Sequence, residues 1–309
     1  MPELYVVTGA GPVGWTVAEQ LAGEGKQVRI LTRSGSGPEH PLVDRMPIDV
    51  SDPARLVDAF RGAAAVFHCI HASAYTAEAW RKELPQAEEA VLTAAGEAGA
   101  VVVFPESLYS YSQPDAAMAE DSPREADGGK RGVRTALLKA RAASATNTVS
   151  VVAADFFGPR VRSAHAGERM VPAVLAGKRV LVIGSADQPR SFTYVPDLAA
   201  AMIRAAQTPS AWNRVWHAPT GPALTQRQLA AAFTHAGGAP APKIGAVPGR
   251  LLRAMGLFSA GTRELAEMLY QFERPFVMDS QASEAGLGVH PTPLPEAAAA
   301  TVAWWRAQG

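Results

Sequence analysis

Three glycines near the start of the chain, Gly9, Gly11 and Gly14, stand in the spacing G-x-G-x-x-G within TGAGPVG (8–14), with Pro12 and Val13 between the last two. That spacing carries chemistry only when a strand runs into it and a helix leaves it. The first glycine then allows a tight turn, and the second lets the backbone come close to a pyrophosphate. The third lets helix and strand pack together, so the helix N-terminus faces the phosphates. About 20 residues further on, a carboxylate would hydrogen-bond the ribose 2′-hydroxyl of NAD. This chain carries Thr32, Arg33 and Ser34 there instead. A guanidinium meets a 2′-phosphate through a forked, charge-assisted contact, and no acid stands at that point to repel one. Arg33 and Ser34 are therefore expected to hold the adenosine ribose phosphate, and NADP(H) is favoured over NAD(H).

The elements that must position these residues are legible around them. The apolar run LYVVTG (4–9) precedes the motif, and Val13, Val17 and Leu21 follow at helical spacing with Gly25 as a stop. Further apolar runs are VRILTR (28–33), AAVFHCI (64–70), AVVVFPES (100–107) and VSVVAADF (149–156). Such Val-rich runs without alternation suit parallel strands buried on both faces. Between them lie helical patterns: SDPARLVDAF (51–60), with Ser51 and Asp52 as capping candidates, and a longer stretch over 76–99, interrupted near Pro85. Alternation of strand and helix predicts an α/β fold with a doubly wound parallel Rossmann sheet. After Gly158-Pro159 the pattern changes to helical pieces, the short strand candidate KRVLVIG (178–184) and Pro/Gly-rich joints such as HAGGAPAPK (235–243), a linker or loop. The expected division is a dinucleotide-binding domain over 1–158 and a smaller C-terminal α/β lobe over 159–309, interleaved so that about 190–217 returns elements to the first.

Bulk properties narrow the class. The 309 residues carry 29 basic and 29 acidic side chains, which argues against a general nucleic-acid or anionic-membrane surface. No apolar run approaches the roughly 18 residues of a membrane span, and MPELYVVTG runs straight into a strand with no leader-type segment. A cytoplasmic protein with a small-molecule substrate is the expectation. The single cysteine, Cys69, allows no internal disulfide, and no Cys/His group has zinc spacing, so no metal is expected. Neither a G-x-S-x-G elbow nor H-E-x-x-H is present.

TGAGPVG (8–14), IDVSD (48–52), VFHCIHAS (66–73), FPESLYSYS (104–112), ADFFGP (154–159), PRSFTYVPDLA (189–199) and VWHAP (215–219) together resemble the short-chain dehydrogenase/reductase superfamily, in its extended and atypical members of the NAD-dependent epimerase/dehydratase type. The resemblance covers nearly the whole chain. It implies that Asp49 and Val50, after the third strand, lie near the adenine, and that Cys69, Ile70 and His71, after the fourth, flank pyrophosphate and ribose. Members of the family often pair as dimers, so a homodimer is one expectation. Active members carry Tyr-x-x-x-Lys on the helix after the fifth strand, a spacing that puts both side chains on one face. Here KRGVRTALLKARAA (130–143) places Lys139 at the lysine position, where it would hold the nicotinamide ribose, and Thr135 at the tyrosine position. A threonine hydroxyl does not titrate usefully near neutral pH, so the usual proton carrier is missing. The upstream serine is retained as Ser107, with Tyr111 four residues on.

Two residues are candidates to replace the missing tyrosine. Tyr109 lies just past the C-terminal end of the fifth strand, where ligands bind in doubly wound sheets, but its phenol needs its pKa lowered to act as a base. His71 carries an imidazole that needs little tuning. Tyr75, Trp80, Tyr111, Phe156 and Phe157 are candidates for an aromatic-lined pocket. Arg190 is a candidate for a substrate diphosphate, or alternatively for an ion pair with Asp187 or Asp197. The expected catalytic set is thus Ser107, Tyr109, Lys139 and His71. The expected function is that of an NADP(H)-binding oxidoreductase or epimerase-like enzyme on a small carbonyl, imine or sugar-type substrate. The alternative is a protein that senses NADP(H) without turning over a substrate.

Overall fold

The computed structural model describes residues 3–257 and 260–308. In chain order the strands are Leu4–Thr8 (β1), Gln27–Thr32 (β2), Val43–Pro47 (β3), Ala63–His68 (β4), Val101–Ser107 (β5), Thr148–Ala153 (β6), Asp155–Phe157 (β7), Val180–Ile183 (β8), Phe192–Tyr194 (β9), Arg214–His217 (β10) and Ile244–Val247 (β11). The helices are Pro12–Gly23 (α1), Pro53–Phe60 (α2), Ala77–Ala98 (α3), Gly129–Ala142 (α4), Val171–Leu175 (α5), Val195–Ala206 (α6), Gln226–Gly237 (α7), Gly249–Gly256 (α8), Ala260–Glu267 (α9), Tyr270–Glu273 (α10), Gln281–Leu287 (α11) and Leu294–Arg306 (α12).

Seven strands form one parallel sheet in the order β10-β6-β5-β4-β1-β2-β3. The order in which strands are added reverses at β1, with β2 and β3 on one side and β4, β5 and β6 on the other. The crevice at that switch lies at the strands' C-terminal ends, and the residues at the ends of β1, β2, β4 and β5 point there. One face of the sheet packs on α1 and α6 through Val17, Leu21, Leu198 and Met202, all buried. The other packs on α2 and α3 through Leu56, Phe60, Val91 and Ala95. Burial on both faces explains why β4, β5 and β6 read as unbroken apolar runs. The edge strand β3, VDRMP, is polar and ends on Pro47, a composition that suits an edge and hides the strand from a search for apolar runs.

The polypeptide crosses back after β6. Strands β7 and β9 pair in a separate parallel ladder, β8 and β11 in another, and β10 then rejoins the main sheet beside β6. A second core joins Val171, Val174, Phe192, Leu229, Phe233 and Val302. Two local expectations are refined. Asp52 is the cap of α2, accepting from Arg55 N at 3.2 Å. Helix α3 runs through Pro85 without interruption, because Pro85 sits on the exposed face where the carbonyl left without its partner meets water.

Candidate active site

The turn between β1 and α1 is crowded where the motif needs glycine. Gly9 has φ +91°, and a Cβ there would lie 2.9 Å from the Cys69 carbonyl oxygen. A Cβ on Gly14 would lie 2.0 Å from the Gly9 carbonyl oxygen and 3.1 Å from Cys69 Cβ. At Gly11 a Cβ would meet nothing within 4 Å, so the backbone opens there onto free space above the N-terminus of α1. That open space at a helix N-terminus suits a pyrophosphate. Cys69 and Ile70 close the turn from the end of β4, and burial pushes the Cys69 thiol up, so it stays protonated.

At the end of β2, Arg33 and Ser34 are exposed, and the Ser34 hydroxyl donates to Ser36 Oγ at 3.0 Å. Across from them, Ser51 N donates to the Asp49 carboxylate at 2.9 Å. The Ser51 hydrogen bonds, backbone first, hold Asp49 below its ordinary range, and the Arg33 charge adds to them. Val50 beside it is buried.

Helix α4 overturns part of the expected catalytic set. Its inward face carries Lys130, Val133, Arg134, Leu137 and Arg141, whereas Lys139 is exposed. With 3.6 residues per turn, positions 130, 134, 137 and 141 share a face, and 139 falls off it. Thr135 is buried, and its hydroxyl is spent on the Ala126 carbonyl at 2.6 Å and the Arg131 carbonyl at 3.3 Å. The two cations four residues apart that α4 turns inward are Lys130 and Arg134, and the structure does not bring Lys139 to them.

Arg134 Nη2 lies 3.2 Å from His71 Nε2, and its guanidinium sits 4.8 Å from the Trp80 ring centroid. A guanidinium only donates, so the imidazole accepts at Nε2. Burial and the Arg134 charge push His71 down to about 4. His71 therefore stands with its lone pair occupied, not as a free base.

Beneath it lies a buried ionic chain. Glu106 Oε1 accepts from Ser107 N at 2.7 Å and from Ser107 Oγ at 3.2 Å, with Arg134 Nε 3.5 Å away. Glu106 Oε2 accepts from Arg141 Nη1 at 2.8 Å. Arg141 also reaches Glu88 at 2.6 and 2.8 Å and lies 4.0 Å over the Phe104 ring. Glu106 thus fixes the backbone and hydroxyl of Ser107 at the end of β5.

Tyr109, two residues on, meets Tyr75 hydroxyl to hydroxyl at 2.9 Å, and its ring stacks on Trp80 with centroids 6.1 Å apart. Burial raises the Tyr109 pKa, partly offset by the Tyr75 hydrogen bond. Lys130 Nζ lies 4.9 Å over the Tyr75 ring and donates to Glu264 and, at 2.7 Å, to Glu267, so α9 is tied across this corner. Tyr111 points elsewhere: it is buried, and its hydroxyl lies 2.6 Å from His217 Nε2, joining the turn after β5 to β10. Phe156 packs on the main core and Phe157 on the second, 5.3 Å from Tyr194, so all three are packing residues and not walls of this corner.

Arg190 is 2% exposed and pairs with Asp155, not with Asp187 or Asp197. Asp187 is taken by Arg227 at 2.8 Å, and Asp197 by Thr292 N at 2.8 Å. Parallel pairing of β7 with β9 sets Asp155 opposite Phe192 and so brings Arg190 to it. The guanidinium lies 4.1 Å over the Phe272 ring, and among the described residues its buried Nε and Nη1 have no hydrogen-bond partner, nor does the Tyr270 hydroxyl. Sequence reasoning missed Lys130, Arg134, Glu106 and Asp155. The one available signal was charge at helical spacing, 130, 134 and 141, on the apolar side of α4.

A doubly wound sheet with an open glycine turn at β1–α1 and a hydroxyl cluster at the end of β5 defines a dinucleotide-binding protein of the Rossmann type. The model of the NAD dependent epimerase/dehydratase family matches residues 5–216, and the chain belongs to that family. Solved structures agree in fold. The Bordetella bronchiseptica enzyme WbmH, in complex with NAD+, is 21% identical with a TM-score of 0.76, covering 100% of both chains. A UDP-glucose 4-epimerase from Thermotoga maritima, with UDP-glucose, is 18% identical with a TM-score of 0.77, covering 99% of both. MoeE5, in complex with UDP-glucuronic acid and NAD, is 22% identical with a TM-score of 0.75, again covering 99% of both. No curated protein sequence is a match. Among the described residues no helix is long and apolar enough to cross a membrane.

Proposed function

We propose that the protein is an NADP(H)-dependent oxidoreductase or epimerase-like enzyme acting on a small carbonyl or sugar-type compound. The observation that carries this reading is the hydroxyl pair Tyr109–Tyr75 beside Ser107, at the crevice the glycine turn opens onto. Residues 1–158, with elements from 190–217, would hold the cofactor, and the rest of 159–309 would form the substrate lobe. Gly9, Gly11, Pro12, Val13 and Gly14 would line the pyrophosphate, Asp49 and Val50 the adenine, and Arg33 with Ser34 the 2′-phosphate. WbmH and MoeE5, named above, are in complex with NAD. The preference for NADP(H) here rests on the missing acid at the end of β2, where a guanidinium and a hydroxyl stand instead.

When bound, the nicotinamide supplies or accepts the hydride. Ser107 would turn its hydroxyl from Glu106 to the substrate oxygen, while its backbone stays anchored on the same carboxylate. Tyr109, kept protonated by burial, suits proton donation to an oxygen that gains charge, and Tyr75 can resupply it. Arg134 takes the place expected of Lys139. An active site is favoured over a pure sensor because the Ser107 hydroxyl and the Tyr109–Tyr75 hydroxyl pair stand together just past the end of β5, where a substrate oxygen could meet them. Fluorescence titration tests the cofactor reading. NADPH is expected to bind more tightly than NADH, with Arg33→Ala removing the difference, and equal or tighter NADH binding would overturn it.

A further inference from the structure

The balanced charge of the whole chain conceals a local excess, because the stretch 198–263 holds seven basic residues and no acid. Part of that stretch folds into β11 and α8, and there large apolar side chains stand in water. Among the described residues the exposed large apolar side chains are Tyr75, Leu181, Leu251, Met255 and Leu257. Four of these five lie on β8, on α8 and at its C-terminal end, with Leu257 78% exposed. In β8, Leu181 is exposed between buried Val180 and Val182, so Arg179 shares its outward face. Pairing sets Leu181 opposite Gly245, where a Cβ would lie 3.0 Å from Leu181 Cδ2 and 2.6 Å from Arg179 Nη2. Helix α8 follows β11 directly. Its Leu252 clusters with Ile183 of β8, which leaves Leu251 and Met255, one turn apart, on the exposed side. Tyr75 stands at the edge of the same region, since Lys130 lies over its ring and pairs with Glu264 and Glu267 of α9, which packs on α8.

The cations of this face are unspent. Lys178, Arg179, Lys243, Arg250 and Arg263 are exposed, and among the described residues none of them is in an ion pair. The neighbouring acids are already engaged, Glu273 by Arg253 and the α9 glutamates by Lys130. Apolar side chains that project from an amphipathic helix among free cations match a bilayer interface, with acyl chains to receive the first and anionic headgroups the second. A projecting ridge enters such a layer directly, whereas an acidic protein would have to supply a groove for it. We infer that the face built from β8, β11 and α8 is a peripheral membrane-binding surface selective for bilayers containing anionic phospholipid. Helix α8 lies in the headgroup layer with Leu251, Met255 and Leu257 toward the acyl chains, and the Tyr75–Tyr109 corner stands beside the bilayer. A short helix with few inserted side chains makes this contact reversible.

Sedimentation of the full chain with vesicles tests the inference without cofactor or substrate, so its outcome is separate from the cofactor titration above. Vesicles of equal parts phosphatidylglycerol and phosphatidylcholine are expected to bind the chain about tenfold more tightly than phosphatidylcholine alone, and rising salt should weaken that binding. Leu251→Ser with Met255→Ser should weaken it about tenfold by removing the inserted groups, and Lys243→Gln with Arg250→Gln by a similar factor through lost charge. All four side chains are exposed, so both variants should keep the wild-type Tm and NADPH affinity. Equal binding to the two kinds of vesicle, binding to neither, or anionic binding that either variant retains in full overturns the inference. So does capture of the chain by immobilised poly-glutamate without binding to vesicles, which assigns the face to an acidic protein instead.

Discussion

Arg141 holds the base of the site, and replacing it with methionine isolates what its charge contributes. The side chain is 3% exposed, bridges Glu88 and Glu106, and accounts for four hydrogen bonds of 2.6 to 3.0 Å, counting one to Ser150. Arg141→Met keeps most of the volume and the contact with Phe104 but leaves Glu88 buried without its counter-ion. Breaking such a pair from one side costs about 3–5 kcal/mol. For a chain of 309 residues at roughly 2.1 cal/mol/K per residue, about 4 kcal/mol lowers Tm by about 6 °C. The pH dependence is the sharper signature. Burial works against the Glu88 carboxylate, but Arg141 outweighs it and holds the group below its ordinary value. In wild type that stability is present above the unfolded carboxylate pKa and lost only as pH falls through the lowered folded value. In the variant, burial is opposed only by the weaker pull of His68 and Arg134, so Glu88 rises and the folded state loses stability as pH climbs toward the raised value. The gap between variant and wild type should therefore widen from pH 5 to pH 8, and Glu88→Gln in the Arg141→Met background should recover part of it. Urea unfolding at several pH values measures this. A loss below about 1 kcal/mol, or one that does not vary with pH, would refute the reasoning.

Three further outcomes are expected. Gly14→Ala puts a Cβ 2.0 Å from the Gly9 carbonyl oxygen, and cofactor titration should show at least a tenfold loss of affinity. Lys139→Ala should leave cofactor affinity and turnover within twofold of wild type, whereas Arg134→Ala should lower turnover at least tenfold, because only Arg134 faces the site; steady-state kinetics with an identified substrate decides. His68 is 4% exposed and pushed down to about 4 by burial, so the unfolded chain takes up a proton that the folded one refuses. Its contribution is full above pH 6.5 and falls as pH drops toward 4, by up to about 1.4 kcal/mol per pH unit, and His68→Gln should flatten that slope in acid unfolding curves.

The sequence by itself determined the dinucleotide turn, the parallel sheet and the order of strand and helix. Each of those is written locally: glycines that only a tight βα turn requires, Val-rich runs that only a doubly covered sheet buries, and caps at helix starts. Ser107 and Tyr109 were legible for the same reason, since both lie at the end of a readable strand. What only the tertiary structure decided is how the charges are spent. Lys139 and Lys130 are alike as letters, and a motif spacing favoured the former, but the rotation of α4 turns Lys130 and Arg134 inward and leaves Lys139 in water. Arg190 had acids at hand in sequence, yet its partner is Asp155, 35 residues away, because β7 and β9 pair in parallel. Ion pairs form between side chains brought together by packing, and no local pattern records which partner the fold will supply.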